Sequence, residues 1–228
     1  MDGDYYVDLK QITVSEYETE LEQAELIPSR KILKEDLQKR FSFLKNHGIN
    51  YLDDLMTALK TPDKIKQFAL KTGLPEEYLT ILEREIASSQ PKPVNLIDFP
   101  GISKDSTDRL AQLGIKNTFQ LFQFVRTEID RKALSEKTEI PDQVILELTR
   151  LTDVARIKWV GANFARLLVD SKCNTVGKVA KADYRELYDE VIRINEEKQY
   201  FKGKFGLNDM KLCVMAAKNV PDAIRNIG

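Results

Sequence analysis

The sequence predicts an all-α protein, and three observations support the prediction. Nearly every segment of the 228-residue chain carries residues typical of helix starts and ends, and no segment sustains the alternation of apolar and polar residues expected of a strand. The chain also aligns with itself at an offset of 66 residues, where Gly48 meets Gly114 and Pro75 meets Pro141. A period of this length is typical of one supersecondary unit copied along a chain, so we expect tandem helical repeats.

Three copies of the unit share a ladder of packing positions, which is almost entirely apolar. Its members are Phe41, Leu44, Ile49 and Leu55 in the first copy, Thr107, Leu110, Ile115 and Leu121 in the second, and Ala165, Leu168, Cys173 and Val179 in the third. Because the ladder recurs, we expect each copy to bury the same helical face. The predicted divisions are residues 1–92, an acidic leader with the first repeat; residues 93–150, the second repeat; and residues 151–228, the third repeat with C-terminal helices.

Individual helix starts are predicted from capping residues. Ser15 and Glu18 have the spacing of a capping box, in which a hydroxyl and a carboxylate each accept a hydrogen bond from an exposed backbone N–H. Thr61 precedes Pro62 and predicts a helix with proline at its first position. Pro75 and Pro141 are expected to repeat that arrangement, and Asn208 to cap the last long helix, whose buried face would hold Met210, Cys213, Val214 and Ala217.

The segment SSQPKP (Ser88–Pro93) is a polar stretch with two prolines, and it predicts a linker or stiff turn between helical units. No apolar run approaches the ~20 residues that a membrane-spanning helix requires, and the acidic start, with Asp2, Asp4 and Asp8, is unlike a secretory signal. We therefore expect a soluble protein with a cytoplasmic location by default. The two cysteines, Cys173 and Cys213, are too few for a disulfide scaffold and are expected to be small buried thiols.

The net charge of −1 conceals an uneven distribution of charged residues. Residues 1–30 carry 8 acidic and 2 basic side chains, residues 31–150 carry 18 and 19, and residues 151–228 carry 10 and 14, giving −6, +1 and +4. Two interpretations stay open: solvated charge, or a contact in which residues 1–27 cover a basic surface.

Two segments of the chain form candidate hairpins. They are LIDFPGISKDSTDRL (Leu96–Leu110, the second hairpin) and RIKWVGANFARLL (Arg156–Leu168, the third hairpin), and both resemble the helix-hairpin-helix motif. The motif carries two glycines that permit a tight turn and leave backbone N–H groups at a helix start, where they can hold a phosphate. Here each segment keeps one of the two, Gly101 in the second hairpin and Gly161 in the third, and the first copy (Glu35–Leu37) keeps neither.

The whole chain also resembles an uncharacterised bacterial family of tandem helix-hairpin-helix repeats, catalogued as a domain of unknown function. The resemblance is strongest over residues 94–221, in the hairpins, in INEEKQYFKG (Ile194–Gly203) and in AAKNVP (Ala216–Pro221). It implies a helical repeat fold and assigns no catalytic residues.

If the protein binds nucleic acid, the residues expected to contact it lie in the two hairpins. They are Gly101, Ser103 and Lys104 in the second hairpin and Lys158, Gly161, Asn163 and Arg166 in the third. Backbone donors and flanking cations would contact phosphates without regard to sequence. The other interpretation is that the hairpins only pack against each other or against a protein partner.

Two aromatic features also allow two interpretations. The segment KQYFKGKF (Lys198–Phe205, the aromatic loop) mixes aromatic residues with Lys198, Lys202 and Lys204; such a mixture can stack on bases, or it can anchor its rings in a core with the lysines in water. Trp159, the only tryptophan, occupies a hairpin position that glycine usually holds. It would be an exposed anchor for a partner or a cap on the local core.

Catalysis is not expected. His47 is the only histidine and meets Leu113 in the second copy, which favours packing. No zinc-ligand spacing and no phosphate-binding glycine loop is present in the sequence, so we expect neither a metal nor a cofactor. The predicted function is a non-catalytic binding or scaffold protein with a protein partner; the alternative is a non-sequence-specific DNA or RNA backbone binder that acts through the second and third hairpins.

Overall fold

A computed structural model describes residues 4–227, and every regular element in that range is helical, which confirms the all-α prediction. The chain divides into two compact units. One unit is Asp8–Ser89, and the other combines the described residues before Asp8 with those from Gln90 onward. The division falls inside the Ser88–Pro93 segment. Each unit is described separately below.

The first unit contains five α-helices and a 3-10 helix. The α-helices are α1 (Val14–Gln23), α2 (Leu37–Asn46), α3 (Leu52–Ala58), α4 (Pro62–Thr72) and α5 (Glu76–Ala87), and the 3-10 helix is Pro28–Lys34. Helix α1 packs on α2, where the rings of Tyr17 and Phe41 lie 6.3 Å apart, and α5 packs on α3 and α4. Arg30 and Glu85 form an ion pair of 3.3 Å within this unit.

The second unit contains eight α-helices and a 3-10 helix at Leu96–Asp98. The α-helices are α6 (Lys104–Gln112), α7 (Thr118–Phe122), α8 (Glu128–Thr138), α9 (Asp142–Val154), α10 (Ala162–Asp170), α11 (Val176–Val179), α12 (Tyr184–Lys198) and α13 (Leu207–Ala217). Helix α9 packs on α7, α8 and α10, and α12 packs on α10 and α13. One apolar core runs through these helices, and α9 lies near its centre, since Ile145, Leu148 and Leu151 are fully buried.

The ladder of packing positions is confirmed. Eleven of its twelve members are buried, and Cys173 is half-buried. The face of α13 is confirmed as well, because Met210, Cys213, Val214 and Ala217 are all buried. The expectation of two buried thiols therefore holds for Cys213 and only in part for Cys173.

The helix starts are predicted less well. Thr61 caps α4 as expected, since its hydroxyl accepts a hydrogen bond from Lys64 N–H at 3.3 Å. The predicted Ser15–Glu18 capping box is wrong: the box is Thr13–Glu16, because α1 must already include Val14 to bury Val14, Tyr17 and Leu21 on one face.

Three further caps are shifted along the chain. Pro75 and Pro141 lie at the N-cap rather than at the first helical position. Asn208 lies inside α13, which begins after Gly206, and Gly206 N–H donates a hydrogen bond to the Asp209 carboxylate at 2.7 Å. Asp209 replaces Asn208 as the capping side chain because an acidic residue three places after the cap can reach back to its N–H.

The first two copies end their central helices with the same glycine turn. Gly48 (φ +83°) and Gly114 (φ +79°) have left-handed backbone conformations, and the next residues, Ile49 and Ile115, donate N–H bonds back to Leu44 O at 3.2 Å and Leu110 O at 3.0 Å. This six-to-one bond is typical of a helix C-terminus that glycine closes. The third copy has no glycine there, and the Ser171 hydroxyl instead donates to Leu168 O and accepts from Cys173 N–H.

The acidic leader is not one continuous structural segment. Tyr5 belongs to the second unit, where its ring is buried and its hydroxyl lies 2.6 Å from the Thr118 hydroxyl. Residues from Asp8 onward belong to the first unit. Within these units Asp4 pairs with Arg126 and Glu18 with Lys45. The hypothesis that residues 1–27 cover a basic surface stays a prediction. Asp2 lies outside the described residues.

Candidate functional site

The second and third hairpins turn in the same way. Ile102 N–H donates to Phe99 O at 3.3 Å, and Val160 N–H donates to Ile157 O at 3.1 Å, so each turn is closed by a bond across four residues. The third residue of such a turn, when its φ is positive, is normally glycine. Gly101 holds that place in the second hairpin with a φ of +84°, and Trp159 holds it in the third with a φ of +69°.

Trp159 is unusual among the described residues in this conformation. The other four non-glycine residues with positive φ are Asp36, Glu139, Gln199 and Asn226, all polar. Asp and Asn adopt it comparatively readily because a short polar side chain can hydrogen-bond nearby backbone, whereas a bulky side chain is strained there by about 1–2 kcal/mol. The Trp159 side chain stays 51% exposed, and the Lys158 ammonium lies 4.3 Å from its ring centroid. Trp159 is therefore a strained residue that presents a partly exposed aromatic ring.

The helix starts after the two turns differ in their capping. Ser103 caps α6, and its hydroxyl accepts from Ser106 N–H at 3.1 Å. Gly161 begins α10 without a side chain, so no side-chain cap covers that helix start. Both Gly161 and the neighbouring Asn163 are exposed. Because Ser103 already satisfies one of the exposed N–H groups of α6, the start of α10 offers more unsatisfied donors than the start of α6.

Two of the predicted phosphate-binding cations are already paired. Arg166 forms ion pairs with Glu147 and Asp170, and its side chain is only 12% exposed. Burial alone would lower the pKa of Arg166, but its hydrogen bonds to Asp170 and Glu147 raise that pKa above its usual value. Lys104 pairs with Asp108 at 2.5 Å on the exposed face of α6. Arg166 also lies beside Gly101, because a Cβ added to Gly101 would be 3.8 Å from an Arg166 nitrogen. Arg166 thus has a structural environment that ties α10 to α9.

The aromatic loop packs against the third hairpin. The Phe164 ring lies 5.8 Å from that of Phe201 and 5.2 Å from that of Phe205, with edge-to-face geometry, and Tyr188 joins the cluster at 5.9 Å from Phe205. The Asn195 side chain holds the loop backbone by two hydrogen bonds to Phe201, of 2.8 and 2.9 Å. The rings of the aromatic loop are therefore partly buried against the core. Phe164 and Asn195, which position the loop, give no signal in the sequence analysis.

The lysines of the aromatic loop point to solvent. Lys202 and Lys204 are exposed and have no ion-pair partner among the described residues, whereas Lys198 pairs with Glu197 at 2.6 Å. Since Phe201 and Phe205 contact Phe164, the structure brings Lys202 and Lys204 to the region of α10 that carries Asn163. Six residues of the third hairpin and the aromatic loop are together called the hairpin surface: Lys158, Trp159, Gly161, Asn163, Lys202 and Lys204.

Residues 4–227 contain neither a metal-binding cluster nor a membrane-spanning helix. No group of three or more histidine, cysteine, aspartate or glutamate side chains in that range could hold a metal ion. None of the helices described there is long and apolar enough to cross a bilayer. His47 lies against its own helix, with its Nδ1 atom 2.7 Å from Phe43 O.

Comparison with known proteins gives one positive result. No curated protein and no solved structure matches the chain. A family model matches residues 100–219, which is more than half of the 228 residues. This range contains the second hairpin from Pro100 onward, the third hairpin and the aromatic loop. The resemblance to an uncharacterised family is confirmed at this level: the chain belongs to the family described as Domain of unknown function (DUF4332).

Proposed function

We propose that this protein is a non-catalytic binding or scaffold protein, built from degenerate helix-hairpin-helix repeats, that contacts a protein partner through the hairpin surface. The observation that carries the proposal is the conformation of Trp159, which combines a φ of +69° with a 51% exposed ring. Backbone strain of this kind persists where the surrounding structure enforces it, and it concentrates at functional sites. An exposed tryptophan is also the residue type most often found at the energetic centre of a protein interface.

The surroundings of Trp159 fit a protein partner with acidic groups. Lys158 lies over the ring, and the exposed Lys202 and Lys204 lie on the loop that packs against α10. An aromatic centre with a polar, charged rim is the usual composition of an interface between proteins. The positive rim would direct an acidic surface towards Trp159 and raise the rate of association at low salt.

The test compares partner capture by two full-length variants with that by the wild type. Trp159→Gly removes the ring and places at the turn the residue that the second hairpin uses there, so the fold is retained. Ile129→Ala, the matched control, removes an 80% exposed apolar side chain from α8 of the same unit. We expect the stoichiometric partner captured by wild type to be retained by Ile129→Ala and lost, by at least about tenfold in affinity, by Trp159→Gly. Equal capture by all three proteins would remove the proposal.

A second candidate function is contact with a nucleic-acid backbone. The observation that favours it is the coincidence of an uncapped helix start at Gly161 with the exposed Lys202 and Lys204. Arg166 and Lys104 support it less, because carboxylates already neutralise them. The alternative therefore rests on the third hairpin and the aromatic loop more than on the second hairpin.

The two functions are separated by salt dependence. A backbone binder shifts single-stranded or duplex DNA at ~50 mM salt and loses affinity steeply as salt rises. Lys202→Ala and Lys204→Ala test this better than Arg166→Ala, since Arg166 also stabilises the fold through its two ion pairs. Absence of any shift with folded protein would remove the nucleic-acid hypothesis and leave the protein partner.

A further inference from the structure

The closing segment, residues 220–227, crosses the second unit without forming helix or strand. Arginine side chains hold its backbone. Five hydrogen bonds run from four arginines to its carbonyl oxygens: Arg156 to Pro221 at 3.0 Å, Arg126 to Ala223 at 3.4 Å, Arg131 to Arg225 at 3.1 Å and to Asn226 at 2.9 Å, and Arg150 to Ile227 at 2.7 Å. One backbone bond is added, from Arg225 N–H to Arg126 O at 2.9 Å.

Two apolar side chains anchor the closing segment. Ile224 and Ile227, three residues apart, are each only 6% exposed and lie in a cluster with Tyr5 and Phe122. The residues between and before them, Asp222, Arg225 and Asn226, are exposed. The segment is therefore held through its backbone and mainly through two isoleucines, while Val220 and Ala223 are also partly buried.

The arginines need an occupant that supplies carbonyl oxygens. Arg131 and Arg156 are buried. Arg131 donates to Val125 O at 3.1 Å and otherwise to the closing segment, so loss of the segment would remove two of its three carbonyl acceptors. Buried unsatisfied donors are costly, and a peptide backbone is the group that satisfies them in this arrangement. Asp153 fixes Arg156 in place through an ion pair of 2.7 Å.

A partly open cavity adjoins the closing segment at one end. This cavity of about 250 Å³ lies beside Asn226, lined also by Glu128, Arg131, Lys132, Asp142 and Leu146. Because its lining includes both Arg131 and an apolar side chain, the cavity can receive a larger side chain at the position of Asn226.

We propose that this arginine-lined groove is a peptide-binding site and that the closing segment is its exchangeable occupant. Its ligand class is an extended peptide with apolar side chains three residues apart. Side-chain donors that read carbonyl oxygens are indifferent to most of the ligand's sequence, so the two apolar anchors set the specificity. The segment 220–227 in trans is the ligand whose chemistry is already known to fit.

The test uses the full chain with a protease recognition site inserted after Asn219. After cleavage, a fluorescein-labelled peptide of residues 220–227 is titrated and its anisotropy recorded. We expect saturable binding in the micromolar range. The peptide with Ile227→Ala should bind at least about tenfold more weakly, because a buried isoleucine is lost, whereas the peptide with Asp222→Ala should bind as the parent does.

A second protein keeps the test decisive if cleavage impairs folding. In the uncut chain, Ile224→Ala and Ile227→Ala weaken the binding of the closing segment to the groove. This chain should therefore bind the labelled peptide at least about tenfold more tightly than the uncut wild type does. Arg131→Ala in this background should weaken binding, and Lys137→Ala, at an exposed position farther along α8, should not. Absence of saturable binding to folded protein would overturn the proposal. Unfolding of both the cleaved and the doubly substituted chain would also overturn it, because the segment would then be an inseparable part of the core.

Discussion

The amide of Val176 donates a hydrogen bond of 2.8 Å to the buried carboxylate of Asp153. In the first two copies the corresponding amides, those of Leu52 and Thr118, donate to the backbone carbonyls of Ile12 and Val94 instead, at 3.0 and 2.9 Å. Those two bonds belong to isolated antiparallel bridges, Thr13 with Tyr51 and Asn95 with Asn117. In the third copy a side chain has replaced a backbone acceptor.

The carboxylate of Asp153 also forms a buried ion pair, whose arginine makes two further hydrogen bonds. Arg156, paired with Asp153, donates to Asp4 O at 2.9 Å and to Pro221 O at 3.0 Å. Burial raises the pKa of Asp153 above its usual range, although Arg156 and Val176 N–H act to lower that pKa. Through Arg156, the Asp153 carboxylate therefore helps to position both Asp4 and Pro221.

Asp153→Asn should lower the free energy of unfolding by about 3 kcal/mol, because it leaves Arg156 buried without its counter-charge. Chemical denaturation followed by circular dichroism measures the change. Asp189→Asn, on the exposed face of α12, is the control and should stay within about 0.5 kcal/mol of wild type. A loss below about 1 kcal/mol for Asp153→Asn would show that the pair is not stabilising.

Tyr5 should make the protein sensitive to alkaline pH. Burial raises the pKa of Tyr5 from 10.0 to about 12, although its hydrogen bond to Thr118 acts to lower that pKa. The protonated Tyr5 hydroxyl contributes about 2–3 kcal/mol to the free energy of unfolding. This contribution is fully present below the pKa of Tyr5 in the unfolded chain and is lost as the pH rises through the pKa of Tyr5 in the folded protein. Chemical denaturation of wild type and Tyr5→Phe should be measured at about pH 9 and about pH 12. Between these two pH values the free energy of unfolding should fall further for wild type. An equal fall in both proteins would contradict this assignment.

Gly114→Ala should destabilise the second unit by about 1 kcal/mol, because a φ of +79° strains any residue with a Cβ even though nothing lies within 4 Å of the added atom. Gly161→Ala is the matched control: nothing lies within 4 Å of its added Cβ either, and its φ is −92°. Unfolding free energies of the two variants should differ by that amount. Similar values for both would show that the conformation of Gly114 is not strained for alanine.

The two cysteines should differ in their rate of alkylation. Burial raises the pKa of Cys213 to about 12, and burial together with Glu190 raises the pKa of Cys173. The reactive species is the thiolate, so at about pH 8 both thiols should react more slowly than an exposed one. Mass spectrometry after iodoacetamide treatment should find Cys173, which is half-buried, modified before Cys213. Modification of Cys213 first in folded protein would contradict this order.

The sequence predicts local features of this protein better than distant contacts. Gly48 and Gly114 align at the 66-residue offset because a glycine and its apolar neighbours recur at fixed spacing. The bond between Arg156 and Asp4 joins residues 152 positions apart, and the bond between Arg131 and Asn226 joins residues 95 apart. No periodic pattern encodes such contacts, since a single arginine gives no sign of which carbonyl it will reach.

The hairpin surface was only half predictable for the same reason. Trp159 was identified from its place in the turn, but its exposure depends on how α10 and its neighbours pack. The sequence also indicated Arg166 as a phosphate ligand, whereas packing of α10 on α9 brings Glu147 to it. Local composition does not show whether a carboxylate from another helix will pair with a given arginine, so the sequence does not predict that Arg166 is neutralised.

The free energy of unfolding of Trp159→Gly tests the central claim most directly, which is that Trp159 is held for contact with a partner and contributes little to the fold. Relief of the strained backbone offsets the loss of a half-exposed ring, so we predict a value within about 1 kcal/mol of wild type. Leu168→Ala, at a fully buried ladder position in the same hairpin, provides the reference for a core residue and should lose about 3 kcal/mol. A loss of about 3 kcal/mol for Trp159→Gly would show that the ring is a core residue and would contradict the account.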